Sequence, residues 1–131
     1  MIQANELRMG NLVYKSLKSG QGRTVINPIG CQDIVRIFED IGSFNYAPIP
    51  LTEDILIKCG FEHGVIERSL SIELGNDTIL YDDLSCDRMY IMQEMEGERP
   101  DCMSIPQDIK YLHQLQNLYF ALTQKELTIK L

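Results

Sequence analysis

No apolar run in this chain approaches the ~20 residues that a membrane-spanning helix requires; segments such as Leu118-Tyr-Phe-Ala-Leu122 are far shorter. The first residues, Met1-Ile-Gln-Ala-Asn-Glu-Leu-Arg8, lack the basic stretch and following apolar stretch of a secretory leader. Cations are scarce: 12 Lys and Arg face 19 Asp and Glu, a net charge of −7. A chain of that sign is repelled as a whole by nucleic acid and by anionic membrane. There are only four cysteines, Cys31, Cys59, Cys86 and Cys102, and no two form a Cys-x2-Cys pair. Zinc sites and disulfide frameworks normally announce themselves by closer and more regular spacing. These absences predict a soluble cytoplasmic protein with reduced thiols, no metal and no cofactor, and argue on charge grounds against direct nucleic-acid binding.

What is present is a globular composition. Of 131 residues, 44% are hydrophobic and 24% charged, with nine Gly and five Pro. A chain this long buries roughly two thirds of its unfolded surface and needs no staple to fold. Length, and the lack of a linker or repeat, predict a single domain over 1–131. Charge is segregated within it. Residues 1–28 hold Arg8, Lys15, Lys18 and Arg23 against Glu6 alone, a basic lobe of +3, and the rest of the chain carries −10. Residues 73–101 hold nine acids and two arginines, Asp87, Glu96 and Glu98 among the acids.

Periodicity predicts an α+β fold. Residues 11–16 and 23–27 read as a small N-terminal β unit, with the turn-rich Lys18–Gly22 between them and Pro28 and Gly30 ending the second strand. Over 31–41, Ile34, Val35, Ile37, Phe38 and Ile41 share one helical arc with Cys31, while Gln32, Asp33, Arg36, Glu39 and Asp40 share the other. The arc is as wide as an ordinary core face, so it is expected to pack within the domain rather than against a partner; Gly42 is the expected stop. Ser43–Pro50 reads as an extended link. A short helix at 53–59 has Thr52 as N-cap and Gly60 as a left-handed stop, with Phe61 folding back toward Leu56. Residues 65–92 read as a three-stranded antiparallel meander turning at Gly75-Asn-Asp77, and 94–104 as a charged loop. The long helix is expected at 106–122, with Lys110, Gln114, Asn117 and Ala121 toward solvent. Glu126–Leu131 alternates as a final strand.

Three segments carry a resemblance: Ala4-Asn-Glu-Leu-Arg-Met-Gly-Asn-Leu-Val13, Tyr46-Ala-Pro-Ile-Pro-Leu-Thr-Glu-Asp-Ile-Leu-Ile-Lys-Cys-Gly-Phe61, and Lys110–Leu127. About a third of the chain is similar to a group of small uncharacterised proteins of gut anaerobic bacteria and their phages or mobile elements. The group has no catalytic motif to transfer. Gln124 stands where it usually has Gly after the long helix. The resemblance implies an accessory or phage gene.

No set of residues spells out a catalytic site, so no catalytic residue is assigned. Cys59-x-x-x-His63, with two of Cys86, Cys102 and His113, could supply four ligands, but buried small hydrophobes and loop thiols explain them more simply. The tip Ser19–Thr24 lacks the length and lysine of a P-loop; with Lys15, Lys18 and Arg23 it could still hold one anion. Asp82-Asp-Leu-Ser-Cys-Asp87 lacks the ligand order of a calcium loop and reads as solvated charge. Gln116 falls on the apolar arc of the long helix with His113 at its edge. It predicts either a structural hydrogen bond to a neighbouring strand or link, or a polar group in a ligand pocket. Three functional expectations follow, in this order: a non-catalytic interaction protein with a protein partner, for which a basic one fits the charge; a binder of an anionic small ligand or nucleotide, of the phage counter-defence kind; and an enzyme.

Overall fold

The computed structural model describes residues 2–63, 68–86, 88–94 and 100–131. Its chain packs as two compact units, one of residues 1–51 with 110–118 and one of 52–109 with 119–131. The expected α+β class holds, with helices and antiparallel sheets combined. Among the described residues no helix is long and apolar enough to cross a membrane.

In the first unit, β1 (Leu12–Leu17) is the centre of a three-stranded sheet between β2 (Val25–Pro28) and β3 (Phe44–Ala47). The third strand comes from the segment expected to be a plain link. Its prolines stand at 48 and 50, beyond the strand, so nothing in 44–47 prevents pairing. Both flanking strands run antiparallel to β1, with Lys15 opposite Val25 on one side and Tyr46 on the other. They are therefore parallel to each other, and the helix α1 (Cys31–Glu39) is the crossover between them. Ile2, Val13 and Ile29 form the buried cluster of this unit, joined by Ile34, Ile37 and Tyr46. The stop of α1 is Asp40, in the left-handed region at φ 51°, two residues ahead of the expected Gly42.

The second unit is built on a five-stranded antiparallel sheet in strand order, β4 (Glu62–His63), β5 (Ser69–Gly75), β6 (Thr78–Asp83), β7 (Arg88–Gln93) and β8 (Asp101–Ser104). The expected meander is its centre. Asn76 and Asp77, both at positive φ, make the tight turn whose backbone twist suits a two-residue hairpin, and Leu74 is an unmatched bulge before it. The edge strand β8 replaces part of the expected charged loop: Asp101–Ser104 pairs with Tyr90–Gln93. Residues 95–99 of that loop, with Glu96 and Glu98, lie outside the described residues, as does Asp87. Helix α2 (Glu53–Lys58) ends as expected. Thr52 Oγ1 accepts the Ile55 N–H, and the Gly60 and Phe61 N–H groups return to the carbonyls of Ile57 and Leu56 around Gly60 at φ 93°.

Two corrections concern the C-terminal third. Helix α3 spans Leu112–Thr123 and does not begin at Pro106. The backbone ahead of it is engaged by an extended segment of the same unit: Leu51 N–H donates to the Lys110 carbonyl, Leu112 N–H to the Ile49 carbonyl, and Tyr111 bridges Pro50. Gln114 Oε1 then accepts the N–H groups of Lys110 and Tyr111, closing the free end of the helix. The expected final strand over Glu126–Leu131 is not formed, and Lys130 N–H instead donates to the carbonyl of Lys58. Gln124 takes the left-handed conformation, φ 58°, at the position where glycine is expected.

Candidate functional sites

Lys15, expected to hold an anion, is turned inward by strand alternation. Its neighbours Val25 and Tyr46 share its face of the sheet. Its Nζ lies 3.2 Å from Asp33 Oδ1 and 4.2 Å from the centre of the Phe44 ring. Asp33, expected on the solvent arc of α1, is buried. It sits in the first helical turn and gathers the Gly30 N–H at 3.0 Å, the Tyr46 hydroxyl at 2.7 Å and the Lys15 ammonium. Arg36 Nη1 stands 3.7 Å away. Burial alone would raise its pKa, but the Gly30 N–H, the Tyr46 hydroxyl and Lys15 outweigh it and hold the carboxyl below its ordinary value. Tyr46 is pushed the other way, by burial and then by the anion it donates to. A carboxylate so fully donated to is an anchor between α1, β1 and β3, with little basicity left for proton transfer.

The other two cations of the expected anion site are surface residues. Lys18 pairs loosely with Asp40 at 3.7 Å, and Arg23 is exposed after a tip whose Gly20 and Gly22 have positive φ. Lys15 is therefore committed beneath α1, while Lys18 and Arg23 face water.

His113 and Gln116 both lie on the buried face of α3. Gln116 makes the structural bonds: its Oε1 accepts the Leu12 N–H at 2.8 Å and its Nε2 donates to the Gly10 carbonyl at 3.3 Å. Asn117, expected in solvent, continues the same seam. It accepts from Asn11 Nδ2 at 2.9 Å and donates to the Glu6 carbonyl at 2.9 Å, while Asn11 Oδ1 takes the Arg8 N–H. The signal for this seam was in the chain. His113, Gln116 and Asn117 stand at i, i+3 and i+4, which puts three polar groups on one helical face. His113 is fully enclosed and stacks on Tyr111. Its Nε2 lies 3.4 Å from Glu6 Oε2, but neither ring nitrogen makes a well-aligned hydrogen bond. Burial lowers its pKa and Glu6 only partly opposes this, so the ring is neutral at pH 7.

The described residues of the second unit include two concavities, both lined in part by Glu62. The larger, about 600 Å³, is lined by Glu62, Glu73, Asp77 and Glu94 beside His63. The smaller, about 440 Å³, is lined by Phe61, Ile72 and Leu127, with Lys58 and Lys130. Cys59 lies against the smaller one as a buried thiol whose pKa burial pushes up to about 11. All four cysteines are free, and Cys102 Sγ lies 3.0 Å from the Tyr81 hydroxyl. Asp83 accepts from the backbone N–H and hydroxyl of Ser85 and closes the turn after β6. Among the described residues no group of three or more His, Cys, Asp or Glu is placed to hold a metal ion.

The apolar arc of α1 does not pack within the fold along its whole width. Ile34 and Ile37 are in the core, but Val35 is 50% exposed and Phe38 80%. Asp33 faces Tyr46 of β3, and Ile37 joins the same packed side. Helical rotation puts Cys31, Val35 and Phe38 on the opposite flank, toward β2. There Val25, on the same face of the sheet, is itself 50% exposed on an edge strand. No family model matches the chain, and no curated protein or solved structure is significantly similar to it.

Proposed function

We propose that this is a non-catalytic interaction protein and that a protein partner docks on the flank of α1 above the β2 edge. The observation that carries this reading is the exposure of Phe38, with Val35 one turn before it and Val25 of the edge strand β2 likewise half exposed. An apolar aromatic side chain left in water by its own fold is a characteristic anchor of protein interfaces. The candidate chemical groups support the same reading by their engagement. Asp33, Gln116 and Asn117 are saturated with internal hydrogen bonds, and Lys15 is paired. A cytoplasmic accessory or phage gene of gut anaerobes is the proposed setting, supported by the three segments named above and by the reduced thiols.

The test is native mass spectrometry of the full chain purified from its host, beside the variants Phe38→Asp and Val35→Asp. The expected result is a stoichiometric partner held by the wild type at high salt and lost by both variants, with unfolding temperatures unchanged. Apolar docking resists salt, whereas a basic partner on the acidic concavity of Glu62, Glu73, Asp77 and Glu94 is released by it. A partner that survives Phe38→Asp, or a chain recovered only as monomer, overturns the reading.

A further inference from the structure

The strand β3 is an outer strand of its sheet, and its backbone is open on one side. Lys18 N–H donates to the Ser43 carbonyl at 2.8 Å, which fixes the phase of the antiparallel ladder. Bonds to β1 then fall on the pairs Ser16–Asn45 and Tyr14–Ala47, and Phe44 and Tyr46 turn their N–H and C=O groups away from β1. Among the described residues no backbone hydrogen bond reaches them from that side. The other edge, β2, is blunted: Pro28 has no N–H, and its carbonyl is taken by Asn27 Nδ2 at 2.9 Å. No such device protects β3.

Beside the open edge, under the end of α1, lies a groove of about 330 Å³ lined by Ile37, Ile41, Phe44, Arg36, Lys18 and Asp40. Its apolar wall is available: Ile41 is 49% exposed, and Phe44 and Ile37 are half-buried. Arg36 is held in place. Its stem lies over Gly42, where an added side chain would come within 3.4 Å of Cδ, and its Nη1 stands 3.7 Å from Asp33 Oδ1. Asp33 already has Lys15 at 3.2 Å, so one carboxylate serves two cations and the looser one, Arg36, is left with unbalanced charge. Asp40 does not balance it: its side chain is in water and its contact is Lys18.

We propose that an extended segment of a partner protein adds to β3 as an antiparallel fourth strand, with an apolar side chain against Ile41 and Phe44 and an acidic one, two residues away, against Arg36. Main-chain bonds to Phe44 and Tyr46 supply the attachment, and the groove selects alternate side chains. A second copy of β3 would bring the same cations together, which charge disfavours. This edge lies across the sheet from the β2 side, so the surface is separate from the α1 flank.

The blocked peptide acetyl-Thr-Ile-Thr-Glu-Thr-amide is the probe, with Ile and Glu on one face when extended. NMR of the full chain is expected to show saturable 1:1 binding by about 1 mM, with the Phe44 and Tyr46 amides shifted and protected from exchange. In an antiparallel pair the peptide residues bonded to Phe44 and Tyr46 are those whose side chains share their face. N-methylation at Ile and Glu therefore abolishes binding, and at the central Thr it does not. Replacing the peptide's Glu by Gln weakens binding roughly tenfold. Arg36→Gln weakens the Glu peptide equally and leaves the Gln peptide unaffected, with the unfolding temperature as its check; the peptide series needs no variant. No saturation, indifference to N-methylation at Ile and Glu, equal affinity of the Gln peptide, shifts centred on Ile26, Val35 and Phe38, or a free chain already dimeric through protected Phe44 and Tyr46 amides overturns the proposal.

Discussion

The side-chain amide of Gln116 lies against the backbone just ahead of β1 as a neighbouring strand would, accepting the Leu12 N–H at 2.8 Å and donating to the Gly10 carbonyl at 3.3 Å. The strand β3 reaches β1 only from Tyr14 onward, so the amide satisfies backbone groups that the sheet leaves open. Gln116→Leu suits the apolar arc in size and hydropathy but orphans both groups. It is expected to destabilise the protein by about 2–6 kcal/mol, at ~1–3 kcal/mol for each unpaired group. Urea unfolding measures this. A Leu variant as stable as the wild type would show that water replaces the amide at no cost.

Asp33 and Tyr46 clamp α1 to the sheet. Tyr46→Phe removes one hydrogen bond to an ionised acceptor and should cost about 1.5–3 kcal/mol. Asp33→Ala should cost more, about 3–5 kcal/mol, because it also leaves Lys15 without its counter-charge and Gly30 N–H without its acceptor. A double-mutant cycle by chemical denaturation separates the pair from its surroundings. Additive single effects would mean that the two residues stabilise the fold separately.

The neutral, enclosed His113 makes stability depend on mild acid. Its folded pKa lies below the ordinary imidazole value of 6.5, so between the two values the unfolded chain binds the proton more readily. Its contribution is complete above pH 6.5 and is lost as pH falls through the lowered folded value, at no more than ~1.4 kcal/mol per pH unit. Asp33, lowered from 3.8, acts in the same direction in a separate and more acidic window. His113→Phe should abolish the first loss and keep the second. Unfolding midpoints measured from pH 8 to pH 3 on both proteins test this, and identical profiles would place the acid sensitivity elsewhere.

Local chemistry made much of the architecture legible. The ending of α2 could be read from Thr52, Gly60 and Phe61, because caps depend on a few adjacent residues. The hairpin at Asn76-Asp77 could be read for the same reason. What eluded the sequence was pairing over distance. Ser43–Pro50 reads as a link until β1 offers it a partner, and Pro106 reads as a helix start until Ile49–Leu51 takes the backbone at 110–112. The candidate site residues divide in the same way. Gln116 stands out in the chain because an amide on an apolar face needs partners, but only the fold shows those partners to be Leu12 and Gly10.

Composition and periodicity alone determined that this chain builds helices and antiparallel strands and carries its acid mostly beyond residue 28. Those properties follow from side-chain type and nearest neighbours. Tertiary structure decided which polar groups are engaged and which apolar ones are left in water. The arc of α1 is one continuous stripe in sequence, yet burying Asp33 with Lys15 and Tyr46 turns the helix so that Ile37 packs and Phe38 does not. A helix can place only part of so wide an arc against a three-stranded sheet, and the buried ion pair selected which part.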